Sequence, residues 1–275
     1  MQGKTVLITG ATSGIGYATA RALIGLGADL YFVARDAARA ETVKNEIGAK
    51  GYFIAELSSQ RSLRDAAMQI RNQLPAIDVL INNAGAVYTS FTLTEDGIEK
   101  TIAVNHFAYY LLTMMLLENI KKSAYARIIC VSSDSHYHGK LDVESFTKNK
   151  GYFVNKAYAQ SKLANVLFTR ELAGRLSGTH VTVNCLHPGL VQTNIGHKGT
   201  AWYARMAWGL MTGLFGVPLD EGARTTVYLA SSPDVKDMRG LYFDNCKPKE
   251  PSALARDSAL QQMLWETTER LCPLG

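Results

Sequence analysis

The stretch TVLITGATSGIGYATARALIGLG, Thr5 to Gly27, decides how the rest of the chain is read. Thr5 to Gly10 is short, apolar and β-branched, which predicts a strand; Gly16 to Gly27 repeats apolar residues at helical spacing and ends on glycine, which predicts a helix with its stop. Gly10, Gly14 and Gly16 fall at the junction, in the pattern TGxxxGxG and not GxGxxG. The first glycine permits a tight turn, and the later ones let backbone N–H groups approach a pyrophosphate at the positive end of the helix. Glycine turns follow many strands, so the weight rests on the placement between a first strand and a first helix. Thr12, Ser13 and Ile15 complete the candidate dinucleotide loop.

Outward from this unit the same alternation continues. DLYFVAR (29–35), GYFIAEL (51–57), IDVLINNAG (77–85), ARIICVSS (126–133), HVTVNCLHPG (180–189) and GLYFDN (240–245) read as further strands, with helical segments between them, including 98–119, 157–176 and 220–231. Near-continuous apolar strands alternating with helices predict a parallel sheet covered on both faces. Right-handed crossovers make it a doubly wound fold. The expectation is one α/β domain over 1–275, a Rossmann fold with about seven mostly parallel strands. The ends, 134–156 and 190–219 read as irregular, and 190–219 is the expected substrate lid.

The 275 residues carry a net charge of +5 and are 47% hydrophobic, an ordinary globular balance. Basic residues do not alternate with aromatics, which argues against nucleic acid as a partner. Cys130, Cys185, Cys246 and Cys272 lie far apart and read as buried free thiols of a reducing compartment. His136 and His138 form an HxH without companion ligands, so no metal is expected. The start enters a strand directly, without a secretory signal, and no run reaches the length of a membrane span.

The second strand ends FVARD. An acid at its tip would accept from the adenosine ribose and favour NAD, whereas an arginine would accommodate a 2′-phosphate and favour NADP. Counted from Gly16, Ala34 holds the tip and Arg35 the next position, while Asp36 fits as a helix cap. NADP is therefore the expected cofactor, with NAD second.

TGATSGIG, NNAG (Asn82 to Gly85), VSS (Val131 to Ser133), YAQSK (Tyr158 to Lys162) and HPGLVQT (His187 to Thr193) appear in this order on the strand–helix frame. Together they resemble the short-chain dehydrogenase/reductase family across nearly the whole chain. AYAQSKLANVLFTREL and the long Ser-to-Tyr interval are similar to its retinol dehydrogenase and WW-domain-containing oxidoreductase branch. The resemblance implies Tyr158, Lys162 and Ser133 as catalytic residues, with Asn105 of AVNHF holding a proton-relay water. It implies Asn83, Ala84 and Gly85 along the adenosine half of the cofactor, and Pro188, Gly189, Val191 and Thr193 at the nicotinamide amide and phosphates. Glu56 stands where relatives have aspartate beside adenine, and Leu57 would add a backbone contact. Vertebrate relatives often begin with a membrane anchor that is not seen here. The expected location is therefore cytoplasmic, with a peripheral membrane contact as the variant; family members often associate, which allows a homo-oligomer.

Tyr158 and Lys162 are one helical turn apart, a spacing that also suits an ordinary surface pair. In the family context the pair has a chemical use. Carbonyl reduction leaves negative charge on oxygen that a phenol can protonate, and a nearby ammonium would lower the phenol's pKa from about 10. The expected substrate is a lipophilic carbonyl or alcohol. Double-bond reduction of the protochlorophyllide reductase type and a non-catalytic dinucleotide sensor are the alternatives. In TAWYARMAWGLMTGLFGV (200–217) only Arg205 is charged, which suits an apolar lid, ordinary packing or a membrane contact. Leu190, Trp202 and Met206 are its candidate substrate contacts.

Overall fold

The computed structural model describes residues 1–189 and 218–274. Strands β1 (Thr5–Thr9), β2 (Asp29–Ala34), β3 (Gly51–Ile54), β4 (Val79–Asn82), β5 (Arg127–Val131), β6 (Thr182–His187) and β7 (Tyr242–Asp244) pair in parallel in the order β3-β2-β1-β4-β5-β6-β7. β4 and β5 are buried at every position, because helices cover both faces of the sheet. Helices α1 (Gly14–Gly25), α2 (Ala37–Ile47) and α3 (Gln60–Gln73) connect the first strands. Asp36 caps α2 as its position implied, with its carboxylate accepting from the Arg39 N–H at 2.8 Å. The strand order reverses between β1 and β4, so the crevice for a ligand opens at the carboxyl ends of these strands.

The segment expected as one helix over 98–119 divides into α4 (Lys100–Ile102), a π-turn (Ala103–Phe107) and α5 (Ala108–Lys121). Helix α6 (Val154–Arg175) carries Tyr158 and Lys162, and α7 (Leu219–Ser231) packs on α1.

Three expectations need correction. An eighth strand, β8 (Lys247–Lys249), pairs antiparallel with β7. Its residues are all exposed, so no apolar alternation announces it; the intervening turn places Asn245 and Cys246 at φ 49° and 62°, the geometry of a tight hairpin. The carboxyl end is a helix, α8 (Ser258–Leu271), whose buried face mixes Leu264 and Trp265 with Gln261, Thr267 and Thr268 and so breaks the apolar stripe. Trp265 stacks on Phe168 of α6 with ring centroids 6.0 Å apart. Cys246 is partly exposed in the hairpin turn, unlike buried Cys130, Cys185 and Cys272.

Candidate active site

The glycine loop leaves β1 with Gly10 at φ 75° and enters α1 with Gly14 at φ 59°, both in the region that favours glycine. Gly16 is required by contact: a Cβ there would lie 2.2 Å from the Gly10 carbonyl oxygen and 2.5 Å from Asn83 Nδ2. The loop is bolted to the end of β4. Asn83 Nδ2 donates to the Thr9 carbonyl at 2.8 Å, and Thr9 Oγ1 accepts from the N–H groups of Asn83 and Ala84, each at 3.0 Å. Asn83 therefore acts on the loop through its side chain, a role its sequence motif did not reveal. Thr9 was also missed, although a hydroxyl ending an apolar strand was the available signal.

Ser13 is the N-cap of α1, yet its side chain makes no cap hydrogen bond, and the first N–H groups of a helix lack intrahelical partners. An exposed hydroxyl beside a positive helix end fits an anion. Arg35 stands exposed just past β2, the strand paired with β1, and Arg39 Nη2 reaches the Thr12 carbonyl of the loop at 3.4 Å. Glu56 Oε1 accepts from the Ser58 N–H at 3.1 Å and from Ser58 Oγ at 3.0 Å. Leu57 beside it is half-buried.

Ser133 closes the turn after β5; its Oγ donates to Ser135 Oγ and accepts from the Ser135 N–H, each at 3.2 Å, and its nearness to Tyr158 lowers the phenol's pKa. Burial outweighs it, and the Tyr158 pKa is raised above its ordinary 10.0. Lys162 Nζ sits 5.6 Å from the Tyr158 ring centroid and donates to the Val131 carbonyl at 3.1 Å. The ammonium lies over the ring, and burial lowers its own pKa from 10.5 to about 8. Gly85 completes the convergence, since a Cβ there would meet Lys162 Nζ at 3.4 Å and Asn105 Oδ1 at 3.5 Å.

Asn105 is fully buried in the π-turn. Its Oδ1 accepts from the Ala86 N–H at 2.8 Å, and its Nδ2 donates to the Ala86 carbonyl at 3.0 Å and Ser161 Oγ at 2.9 Å. Tyr109 Oη donates to the Ala84 carbonyl at 2.8 Å. The segment from Asn83 to Ala86 is thus held from both sides. Pro188 and Gly189 leave β6 in a turn with Gly189 at φ 83°. Leu190, Val191, Thr193, Trp202 and Met206, with most of the expected lid, lie outside the described residues.

A switch-point crevice with a glycine loop at one side and a Ser–Tyr–Lys cluster at the other defines a dinucleotide-binding oxidoreductase of the doubly wound α/β class. Residues 4–204 match the family model described as short chain dehydrogenase. The chain is 44% identical to retinol dehydrogenase 14 of Mus musculus, covering 98% of this chain and 86% of the relative. It is 41% identical to retinol dehydrogenase 14 of Homo sapiens, with the same two coverages. A crystal structure of an uncharacterised protein from Mycobacterium paratuberculosis superposes with a TM-score of 0.79 at 30% identity, covering 98% of this chain and 94% of that one. The chain belongs to the short-chain dehydrogenase/reductase family, in its retinol dehydrogenase branch. Members use a nicotinamide dinucleotide, NAD or NADP. Among the described residues, no helix is long and apolar enough to cross a membrane.

Proposed function

We propose that this protein is an NADP(H)-dependent oxidoreductase that interconverts an alcohol and a carbonyl on a lipophilic substrate, with Tyr158 as the general acid and base. The observation that carries the reading is the meeting of Ser133, Tyr158 and Lys162 at the crevice edge, with the uncapped Ser13 end of α1 at the same edge. The names of the relatives support a lipophilic alcohol as the substrate class. Arg35 and Arg39 beside the loop support a 2′-phosphate.

A nicotinamide held in the crevice would supply or accept the hydride. Ser133 orients the substrate oxygen by a hydrogen bond and polarises it. Tyr158 passes its proton to that oxygen in reduction and takes it back in oxidation. Lys162, anchored on Val131, supports the phenolate with positive charge once the site closes. The cofactor-free phenol stands above its ordinary pKa, so its activation depends on charge gathered with cofactor and substrate. The Asn105 amide is engaged by Ala86 and Ser161, which makes it a clamp on the Gly85 segment. On this reading a proton leaving past Lys162 would reach solvent through a water held at Asn105. Residues 190–219 form the apolar lid on this reading, and a cytoplasmic location with peripheral membrane contact goes with it.

The deciding experiment is a coupled screen of lipophilic ketones, aldehydes and alcohols with NADPH and NADH. Turnover of an apolar carbonyl with NADPH preferred is expected. Turnover confined to enones, or none on any carbonyl while cofactor binds, would overturn it.

A further inference from the structure

His187 ends β6, and its ring bridges two elements. Nδ1 accepts from the Gly189 N–H at 3.1 Å, and Nε2 lies 3.4 Å from Asp244 Oδ1. Asp244 is the register partner of His187 across the β6–β7 pair, so parallel pairing itself sets the two side chains beside each other. The arrangement specifies a tautomer. Nδ1 must be unprotonated to accept from an N–H, and Nε2 must carry the proton to face a carboxylate.

Asp244 is held in turn. Its Oδ2 pairs with Lys249 of β8 at 2.8 Å, and the same ammonium stands 3.6 Å from Asp134 Oδ1, one residue beyond Ser133. Lys249 keeps the Asp244 carboxyl below its ordinary pKa. The other groups facing His187 come from the turn after β5. His136 has Nδ1 at 2.8 Å from the Ser133 carbonyl oxygen, and burial lowers its pKa. The terminal hairpin thus reaches both the serine turn and the Pro188–Gly189 turn through one ammonium and one carboxylate.

We infer that His187 is a positioning residue: as the neutral Nε2–H tautomer, oriented by Asp244 and Lys249, it fixes the Gly189 turn in the conformation that receives the nicotinamide half of the cofactor. This rests on the proposed reading of Gly189 as a cofactor contact. The bond to Gly189 is an Asx-turn made with an imidazole, and asparagine at 187 would place Oδ1 where Nδ1 now accepts. In the other neutral tautomer Nδ1–H would face the Gly189 N–H and the bond would be lost.

The test uses full-length, cofactor-free protein first. Histidine-selective ¹⁵N NMR should give an unprotonated Nδ1 and a protonated Nε2 for His187. The Gly189 amide should exchange slowly, speed up in His187→Leu and slow again in His187→Asn at the same pH. Cofactor Kd, read by fluorescence, should rise about two- to tenfold in His187→Leu, the worth of one hydrogen bond, and return in His187→Asn. Asp244→Asn should shift the tautomer balance toward Nδ1–H and speed exchange of the Gly189 amide. A protonated Nδ1, or a Gly189 amide indifferent to His187, overturns the inference. So does an altered turn with unchanged cofactor Kd, because the positioning role is then absent. A wild type that binds no nicotinamide cofactor would instead sink the proposed function, while the tautomer and exchange readouts still judge the His187 bridge.

Discussion

Residues Thr9 to Gly16 present main chain to the crevice; Ser133, Tyr158 and Lys162 present side chains to it. In the first region, glycines bring backbone close, Asn83 and Thr9 brace it, and no buried charge is present. In the second, an ammonium that is 4% exposed and a phenol raised by burial lie side by side. The difference follows from the tasks. A phosphate is recognised by dipoles that any sequence's backbone carries, provided Cβ atoms stay away. Proton transfer needs groups whose pKa values can move, and burial is what moves them. The first region therefore strengthens the fold, whereas the second strains it.

The sharpest way to break that contrast is Tyr158→Phe. It should lower kcat about 10²- to 10⁴-fold, the usual share of general acid–base catalysis, with cofactor Kd unchanged. Retention of most of the wild-type kcat would remove the side-chain region from the chemistry. Gly16→Ala should do the reverse. Its Cβ, 2.2 Å from the Gly10 carbonyl oxygen, should cost about 1–3 kcal/mol in urea unfolding and weaken cofactor about tenfold or more, with kcat at saturation nearly kept. Wild-type affinity in this variant would mean that the loop's backbone shape is not what binds.

Arg35→Ala tests where the backbone site acquires a side-chain preference. A charge-assisted phosphate contact is worth about 1.5–3 kcal/mol, so NADPH should weaken about ten- to a hundredfold and NADH little. Equal losses for both cofactors would take Arg35 out of that role.

The smallest effect concerns strain. Lys162 has a folded pKa of about 8 against 10.5 unfolded, so below pH 8 both states are charged and the fold bears the whole burial penalty. Between those values the unfolded state binds more protons, and stability rises with pH. Lys162→Met should therefore stabilise cofactor-free protein at pH 7 by about 1–2 kcal/mol, the penalty of about 3 kcal/mol less the lost bond to Val131. That advantage should fade as pH climbs from about 8 to 10.5. A pH-independent difference in paired urea titrations would mean that Lys162 is not buried as a cation.

Legibility followed the same division. The parallel sheet, the glycine loop and the Asp36 cap could be read from Thr5 onward, since each depends on local spacing and on residue types suited to it. β8 and α8 could not. One is an exposed KPK segment paired only through a left-handed turn, and the other buries threonines and a glutamine beside Trp265. The carbonyl that Lys162 meets was likewise out of reach, because Val131 lies 31 residues away in the chain.

Local pattern along the chain sets the frame and the chemical inventory: a doubly wound sheet, glycines where backbone must approach, and Ser133, Tyr158 and Lys162 in motif order. Tertiary structure alone decided how those parts are engaged. It turned the Asn105 amide onto Ala86, folded Glu56 back on Ser58, tied Lys162 to Val131 and set His187 between Gly189 and Asp244. The physical reason is range. Periodicity and turn chemistry act within a few residues, whereas hydrogen-bond partners and burial are set by contacts between elements far apart in the chain.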